Sequence, residues 1–72
     1  MTPTIKRLCS TLHYILYDGQ VVLELSYERK FMGWQLHFTP MWPTVPSEAE
    51  KEVLAFAHDQ IKLNKITDRL LK

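Results

Sequence analysis

The chain has 72 residues, of which 46% are hydrophobic and 24% charged, and its formal net charge at pH 7 is +1. This composition excludes a disordered segment, and the length predicts one small domain over 1–72. The near balance of nine basic and eight acidic residues argues against a strong phosphate-binding surface. No apolar run is long enough to span a membrane, and Cys9 alone cannot form an internal disulfide, so we expect a cytoplasmic protein.

The N-terminal segment predicts a short helix over 3–9. Thr2 is a suitable N-cap, and proline at position 3 fits the first helical turn. Apolar residues then recur at helical spacing: Ile5, Leu8, Cys9 and Leu12. The alternative is an irregular arm, since so short a helix is marginal without tertiary support.

A β-hairpin turning at Asp18-Gly19 is the central prediction. An Asp-Gly pair between two apolar runs is typical of a type I′ turn, which predicts strands over 11–17 and 20–27. An uninterrupted register from this turn places Tyr14 opposite Leu23 and His13 opposite Glu24. One face is then apolar: Leu12, Tyr14, Leu16, Val21, Leu23 and Leu25. The other face is polar apart from the pair Ile15 and Val22 with Tyr17 nearby.

A third strand is predicted over 34–39 from strict alternation of apolar and polar residues. Placing Tyr27 opposite Trp34 continues the apolar face across all three strands. The six-residue loop does not fix this register, and a slip of two residues is the alternative, which keeps the faces but changes the neighbours. Prolines at positions 40, 43 and 46 then predict an extended, stiff connection with Trp42 over the core. The alternative for this connection is a proline-rich ligand for an aromatic groove.

A C-terminal helix is predicted over 47–63, because Ser47 and Glu50 form a capping box. Its first apolar stripe, suited to the sheet, contains Val53, Leu54, Ala57 and Ile61. A second, rotated stripe contains Phe56, Leu63, Ile66 and Leu70. The helix therefore either ends near Asn64 or continues to 71 and offers this stripe to another chain. The predicted fold class is α+β: a three-stranded antiparallel meander with a helix packed on one face.

The predicted registers align His13, Glu24 and His37 in a row across the polar face. Two imidazoles and a carboxylate can bind a divalent cation. However, neighbouring strands lie ~4.8 Å from each other, so the two histidine side chains begin ~10 Å apart. An ordinary surface row is therefore the preferred interpretation, and we expect no metal or other cofactor. No serine or cysteine is placed as a nucleophile beside a base, so no catalytic residue is assigned and no enzymatic activity is expected.

The leading functional hypothesis is an adaptor or regulatory module that binds a protein partner and self-associates, most simply as a homodimer. It depends on apolar surface in excess of what one sheet and one helix can bury. The candidate interface residues are Ile15, Tyr17, Val22, Leu63, Ile66 and Leu70.

Nucleic-acid binding is the alternative. A helix, three strands and a helix is an element order that resembles the double-stranded-RNA-binding domain, which implies phosphate contacts by basic residues. The candidates are Arg29, Lys30, Phe31, Lys62, Lys65 and Arg69. The resemblance is limited to element order, and Glu48, Glu50 and Glu52 would repel phosphate at the start of the last helix.

Overall fold

An antiparallel sheet and a C-terminal helix make up the fold. The computed structural model describes the backbone of 2–31 and 33–71 and the side chains of 2–30 and 33–63. The strands are β1 (Thr4–Cys9), β2 (Leu12–Tyr17), β3 (Gln20–Glu28) and β4 (Gly33–Phe38), in the spatial order β1-β2-β3-β4. The helix α1 (Glu50–Leu71) packs over β2 and β3. The predicted α+β class is confirmed, with four strands instead of three.

The N-terminal segment forms the edge strand β1, so the predicted helix over 3–9 is wrong. Ile5 lies opposite Ile15 of β2 and packs against the core, whereas Leu8 and Cys9 of the supposed helical stripe are exposed. Pairing with β2 satisfies backbone groups that a short isolated helix would leave to water. Tertiary pairing therefore prevails over the local helix signals.

The turn between β2 and β3 is confirmed. Asp18 and Gly19 have φ values of 53° and 76°, as a type I′ turn requires. Tyr17 lies opposite Gln20 and Leu16 opposite Val21, as predicted. The register then shifts by one residue, because Val22 forms a β-bulge and the next pair is Ile15 with Leu23.

The bulge reverses the predicted faces of β2. Leu23 and Leu25 face the core as predicted, but their partners are Ile15 and His13 instead of Tyr14 and Leu12. Tyr14 lies opposite Glu24 on the face away from the helix, which we call the open face. The bulge turns Val22 toward the core as well, since both Val22 and Leu23 are fully buried. The predicted faces were therefore wrong for β2, Val21 and Val22, but correct for Leu23 and Leu25.

The pairing of β3 with β4 follows the predicted register. Tyr27 lies opposite Trp34, Leu25 opposite Leu36, and Leu23 opposite Phe38. The strand begins at Gly33 and ends at Phe38, one residue earlier at each end than predicted. The buried core combines Trp34 and the β2 and β3 residues with four residues that follow the sheet: Val45, Ala49, Val53 and Ala57.

The proline-containing connection is a compact turn, so the predicted extended conformation is wrong for its centre. Residues Trp42–Thr44 form a 3-10 turn in which Pro43 is the second residue. Met41, which precedes the turn, has helical backbone angles. Backbone and threonine hydroxyl hydrogen bonds within the segment favour this turn over a polyproline helix. Trp42 packs against the core, as predicted.

The helix begins differently from the prediction and is continuous. Ser47–Ala49 form a 3-10 turn, and the N–H of Glu50 donates to the carbonyl of Ser47 instead of its hydroxyl. The predicted capping box is therefore absent, because the backbone itself supplies the acceptor. The first stripe packs on the sheet as predicted, and the helix runs past Asn64 to Leu71. Within the described residues, no helix is both long and apolar enough to cross a membrane.

Candidate protein interface

The predicted row of His13, Glu24 and His37 does not form, because the bulge places His13 on the core face. The His13 ring is 1% exposed and stacks on Trp34, with 5.0 Å between ring centroids. Glu24 and His37 do lie opposite each other on the open face, and His37 Nε2 is 3.1 Å from the Ser26 hydroxyl. Across the part of the chain that the structure describes, no three His, Cys, Asp or Glu side chains are grouped to hold a metal ion.

The predicted interface residues fall into three environments. Ile15 and Val22 are fully buried in the core and Tyr17 packs against it, so these three are not an exposed patch. Leu63 is 56% exposed on the helix. The side chains of Ile66 and Leu70 lie outside the described residues. The premise for Ile15 and Val22, an apolar pair on a polar face, is therefore wrong.

The residues of the nucleic-acid alternative lie on two elements. Arg29 and Lys30 are exposed in the 3-10 turn Arg29–Phe31 between β3 and β4, and Lys62 is exposed on the helix. The side chains of Phe31, Lys65 and Arg69 lie outside the described residues. Glu48 is also exposed at the start of the helical region, where it disfavours an anion.

An exposed apolar cluster lies where β4 ends. We call it the Phe38 cluster, and it consists of Phe38, Met41 and Trp42. Phe38 is 57% exposed and Met41 is 37% exposed. The Phe38 and Trp42 rings contact each other, with centroids 4.8 Å apart and a 59° angle between planes. The two aromatic rings thus form one apolar surface that solvent reaches at Phe38, and Met41 exposes further apolar side chain next to Trp42 in the sequence.

Hydrogen bonds from two threonines hold this cluster in place. The Thr39 hydroxyl donates to the Val21 carbonyl at 2.6 Å and accepts from the Met41 N–H at 3.2 Å. The Trp42 N–H donates to the Thr39 carbonyl at 3.0 Å. The Thr44 hydroxyl donates to the Met41 carbonyl at 2.6 Å, and Val45 next to it is buried in the core. The cluster is therefore attached to the sheet on one side and to the core on the other.

The outer edge of β4 adjoins this cluster and is open. The Thr39 N–H donates to the Val22 carbonyl at 3.2 Å, which fixes the alternation of the β3–β4 ladder. The backbone groups of Gln35 and His37 consequently face β3, and those of Trp34, Leu36 and Phe38 face outward. No strand of the described chain pairs with this edge. The edge contains no Lys, Arg, Asp or Glu.

The other edge of the sheet, β1, has features that discourage pairing. It contains Lys6 and Arg7, and its register with β2 is interrupted by a bulge between Arg7 and Cys9. Charged side chains and bulges are the devices that protect natural edge strands from joining other sheets. The two edges of this sheet are therefore unequal, and β4 is the receptive one.

The sequence did not single out the Phe38 cluster. Phe38 alternates with Trp34 and Leu36, so periodicity assigned it to the core, whereas its position at the strand's end leaves it beyond what α1 covers. Met41 was treated as part of an extended connection. The available signal was the absence of charge over Gly33–Phe38, which distinguishes this strand from a protected edge.

Cys9, the last residue of β1, is exposed beside the Thr11 hydroxyl. The Thr11 Oγ1 lies 3.4 Å from Cys9 Sγ, and this hydrogen bond is the largest factor that lowers the pKa of the Cys9 thiol below its ordinary value. A backbone hydrogen bond from Thr11 acts in the same direction. The thiolate therefore forms at a lower pH than in an unperturbed cysteine.

Replacing Thr11 with valine should raise the pKa of the Cys9 thiol. The change removes the hydroxyl that stabilises the thiolate, and leaves the weaker backbone contribution in place. The pH profile of alkylation by iodoacetamide should move to higher pH in Thr11→Val and stay near the wild-type position in Thr11→Ser, which keeps the hydroxyl. An unchanged profile in Thr11→Val would show that the hydroxyl does not act on the thiol.

Comparison with protein-family models, curated proteins and solved structures finds no match to this chain. In the described residues, the β4 edge of the sheet lies beside an exposed apolar cluster.

Proposed function

We propose that the protein is a non-enzymatic interaction module, which binds a protein partner through the Phe38 cluster and the adjoining edge of β4. The observation that carries this proposal is the exposed Phe38 ring in a fixed apolar cluster next to unpaired backbone groups. Aromatic residues and methionine are enriched in protein interfaces, and aromatic anchors contribute much of their binding energy.

The open edge specifies the form of the contact. Outward N–H and C=O groups on a strand bind another extended strand, which is the mode called β-augmentation. In that mode the backbone hydrogen bonds supply affinity, and side-chain contacts beside the edge supply selectivity. The Phe38 cluster would be the selective part. An adaptor or regulatory role follows, because such a contact joins proteins without altering them chemically.

The exposed Cys9 thiol fits a reducing compartment, so we place the module in the cytoplasm.

A comparison of baits tests this function. Wild-type protein and the variants Phe38→Lys and Leu8→Lys are immobilised and exposed to lysate of the source cell. Both substitutions place lysine at an exposed apolar position, but Phe38 lies on β4 and Leu8 on β1. We expect a partner that binds wild type and Leu8→Lys and that loses at least about tenfold in affinity for Phe38→Lys. The proposal would be wrong if binding to the three baits did not differ and no self-association depended on Phe38.

The nucleic-acid alternative has a separate outcome in the same series. If the protein binds nucleic acid, the double variant Arg29→Ala, Lys30→Ala would bind a labelled duplex more weakly than wild type. Added salt would also weaken this binding steeply, because phosphate contacts release counterions. Phe38→Lys would not weaken duplex binding.

A further inference from the structure

We propose that the occupant of the β4 edge is a second copy of this chain, which docks antiparallel about a twofold axis through Leu36. This inference rests on the proposed function, since it names the partner of the same surface. Two four-stranded sheets would join into one sheet of eight strands, with both helices on the same side.

The outward hydrogen-bonding groups of two β4 strands match in this arrangement. An antiparallel pair of edges forms complete bonds only between residues whose backbone groups face outward, which on β4 are Trp34, Leu36 and Phe38. An axis through Leu36 pairs Leu36 with its own copy and Trp34 with Phe38 of the second copy. All the outward groups of the strand are then satisfied on both chains.

Neighbouring registers are worse. An axis through His37 would also pair outward-facing residues, but it would bring Trp34 opposite Pro40 of the second copy, and proline has no N–H to donate. An axis through Gln35 would pair Trp34 with Leu36, but it would leave Phe38 without a partner inside β4 of the second copy. The backbone pattern and the flanking residues therefore select the axis through Leu36.

The side chains that face each other in this arrangement are also chemically compatible. On the helix side, Leu36 meets its copy and Phe38 meets Trp34, so apolar groups contact apolar groups. On the open face, Gln35 meets His37, so polar groups contact polar groups. The strand brings no like charges together, because it contains no Lys, Arg, Asp or Glu. The edge is therefore self-complementary, which a twofold interface requires.

Head-to-tail assembly is the alternative way for copies to join at this edge. Pairing β4 with β1 of another copy is a heterologous contact, which gives open filaments unless the rotation between copies closes a ring. Lys6, Arg7 and the bulge of β1 oppose that contact. The inequality of the two edges thus favours a closed dimer over an open polymer.

Three variants are compared with wild type, and the first two are Phe38→Lys and Leu8→Lys. The third is made by chemical synthesis and carries N-methyl-leucine at position 36, which removes the outward N–H and keeps the side chain. Sedimentation from low micromolar to millimolar concentration should show a dimer for wild type and Leu8→Lys. Phe38→Lys and the N-methyl chain should dissociate at concentrations at least about tenfold higher, while circular dichroism shows that they remain folded.

Amide hydrogen exchange tests the register itself. In the dimer, the amides of Leu36 and Phe38 should be protected together with those of Gln35 and His37. In a dissociated variant, only Gln35 and His37 should stay protected, because their N–H groups face β3.

The inference is wrong if wild type is monomeric at millimolar concentration, or if a dimer forms in which the Leu36 and Phe38 amides exchange rapidly. In either case a Phe38-dependent protein partner from the bait comparison would leave the proposed function standing. If that partner were absent and no self-association depended on Phe38, both proposals would fail.

Discussion

Replacing Ile15 with alanine should destabilise the fold by about 2–4 kcal/mol, whereas the same replacement at Leu16 should cost about 1 kcal/mol or less. Ile15 is fully buried between Ile5 and Leu23 beneath the helix, so its loss leaves a cavity. Leu16 is half-buried on the open face opposite Val21, where water can fill the space. The neighbours therefore differ because the strand turns them to opposite faces.

Urea unfolding of the two variants and wild type, monitored by circular dichroism, measures the difference. A domain of this size is stable by only about 5–10 kcal/mol, so the loss at Ile15 is a large part of the total. An uninterrupted register from the Asp18-Gly19 turn would give the reverse order, with Leu16 in the core. A larger effect at Leu16 than at Ile15 would consequently show that the bulge at Val22 is absent.

The bulge at Val22 is the feature of the sheet that the sequence does not indicate. The Asp18-Gly19 turn and the faces of β4 were predictable, because turn chemistry and strict alternation from Trp34 to Phe38 determine them locally. The predicted β3–β4 register was confirmed, although a slip of two residues would have kept the same faces. Val22 carries no such signal: valine is an ordinary strand residue, and Val21, Val22 and Leu23 form an apolar run that fits either face. The choice depends on whether His13 and Ile15 or Tyr14 and Leu16 fit better beneath the helix.

The N-terminal strand and the connection at the prolines show a related limit. Ile5 and Leu8 fit a helical stripe, yet Ile5 pairs with Ile15. Pairing with the edge of β2 stabilises this segment more than a helix of two turns would, because so short a helix is marginal in water. In the connection, Thr39 and Thr44 hydroxyls close a turn that proline spacing alone does not indicate. Both outcomes depend on partners distant in sequence or on side-chain bonds.

The candidate interface was less predictable than the fold. Its general nature, a sheet edge or helix stripe offered to a protein, followed from the excess of apolar residues. Its location did not, because Ile15 and Val22 were taken as surface residues through the wrong register. Phe38 was assigned to the core by a correct register, since alternation identifies the side of a sheet but not how far the helix covers it.

Replacing Val53 with aspartate should unfold most of the protein, with a loss of about 4 kcal/mol or more. Val53 is fully buried at the centre of the helix face that packs on the sheet, together with Ala49 and Ala57. A carboxylate there loses its hydration, and the core around it supplies apolar contacts instead of hydrogen bonds. The helix must then leave the sheet or the group must take up a proton, and both reduce the stability of the folded state.

The matched control is Ala55→Asp, which introduces the same charge two residues further along the helix. Ala55 is exposed, so this variant should lose only about 0.5–1 kcal/mol, mainly from the lower helix propensity of aspartate. Thermal unfolding and the dispersion of amide signals in NMR spectra distinguish the two outcomes. Equal stability of the two variants would mean that α1 does not pack through the Val53 face. The Phe38 cluster, whose Trp42 packs against the same core, would then lose its support.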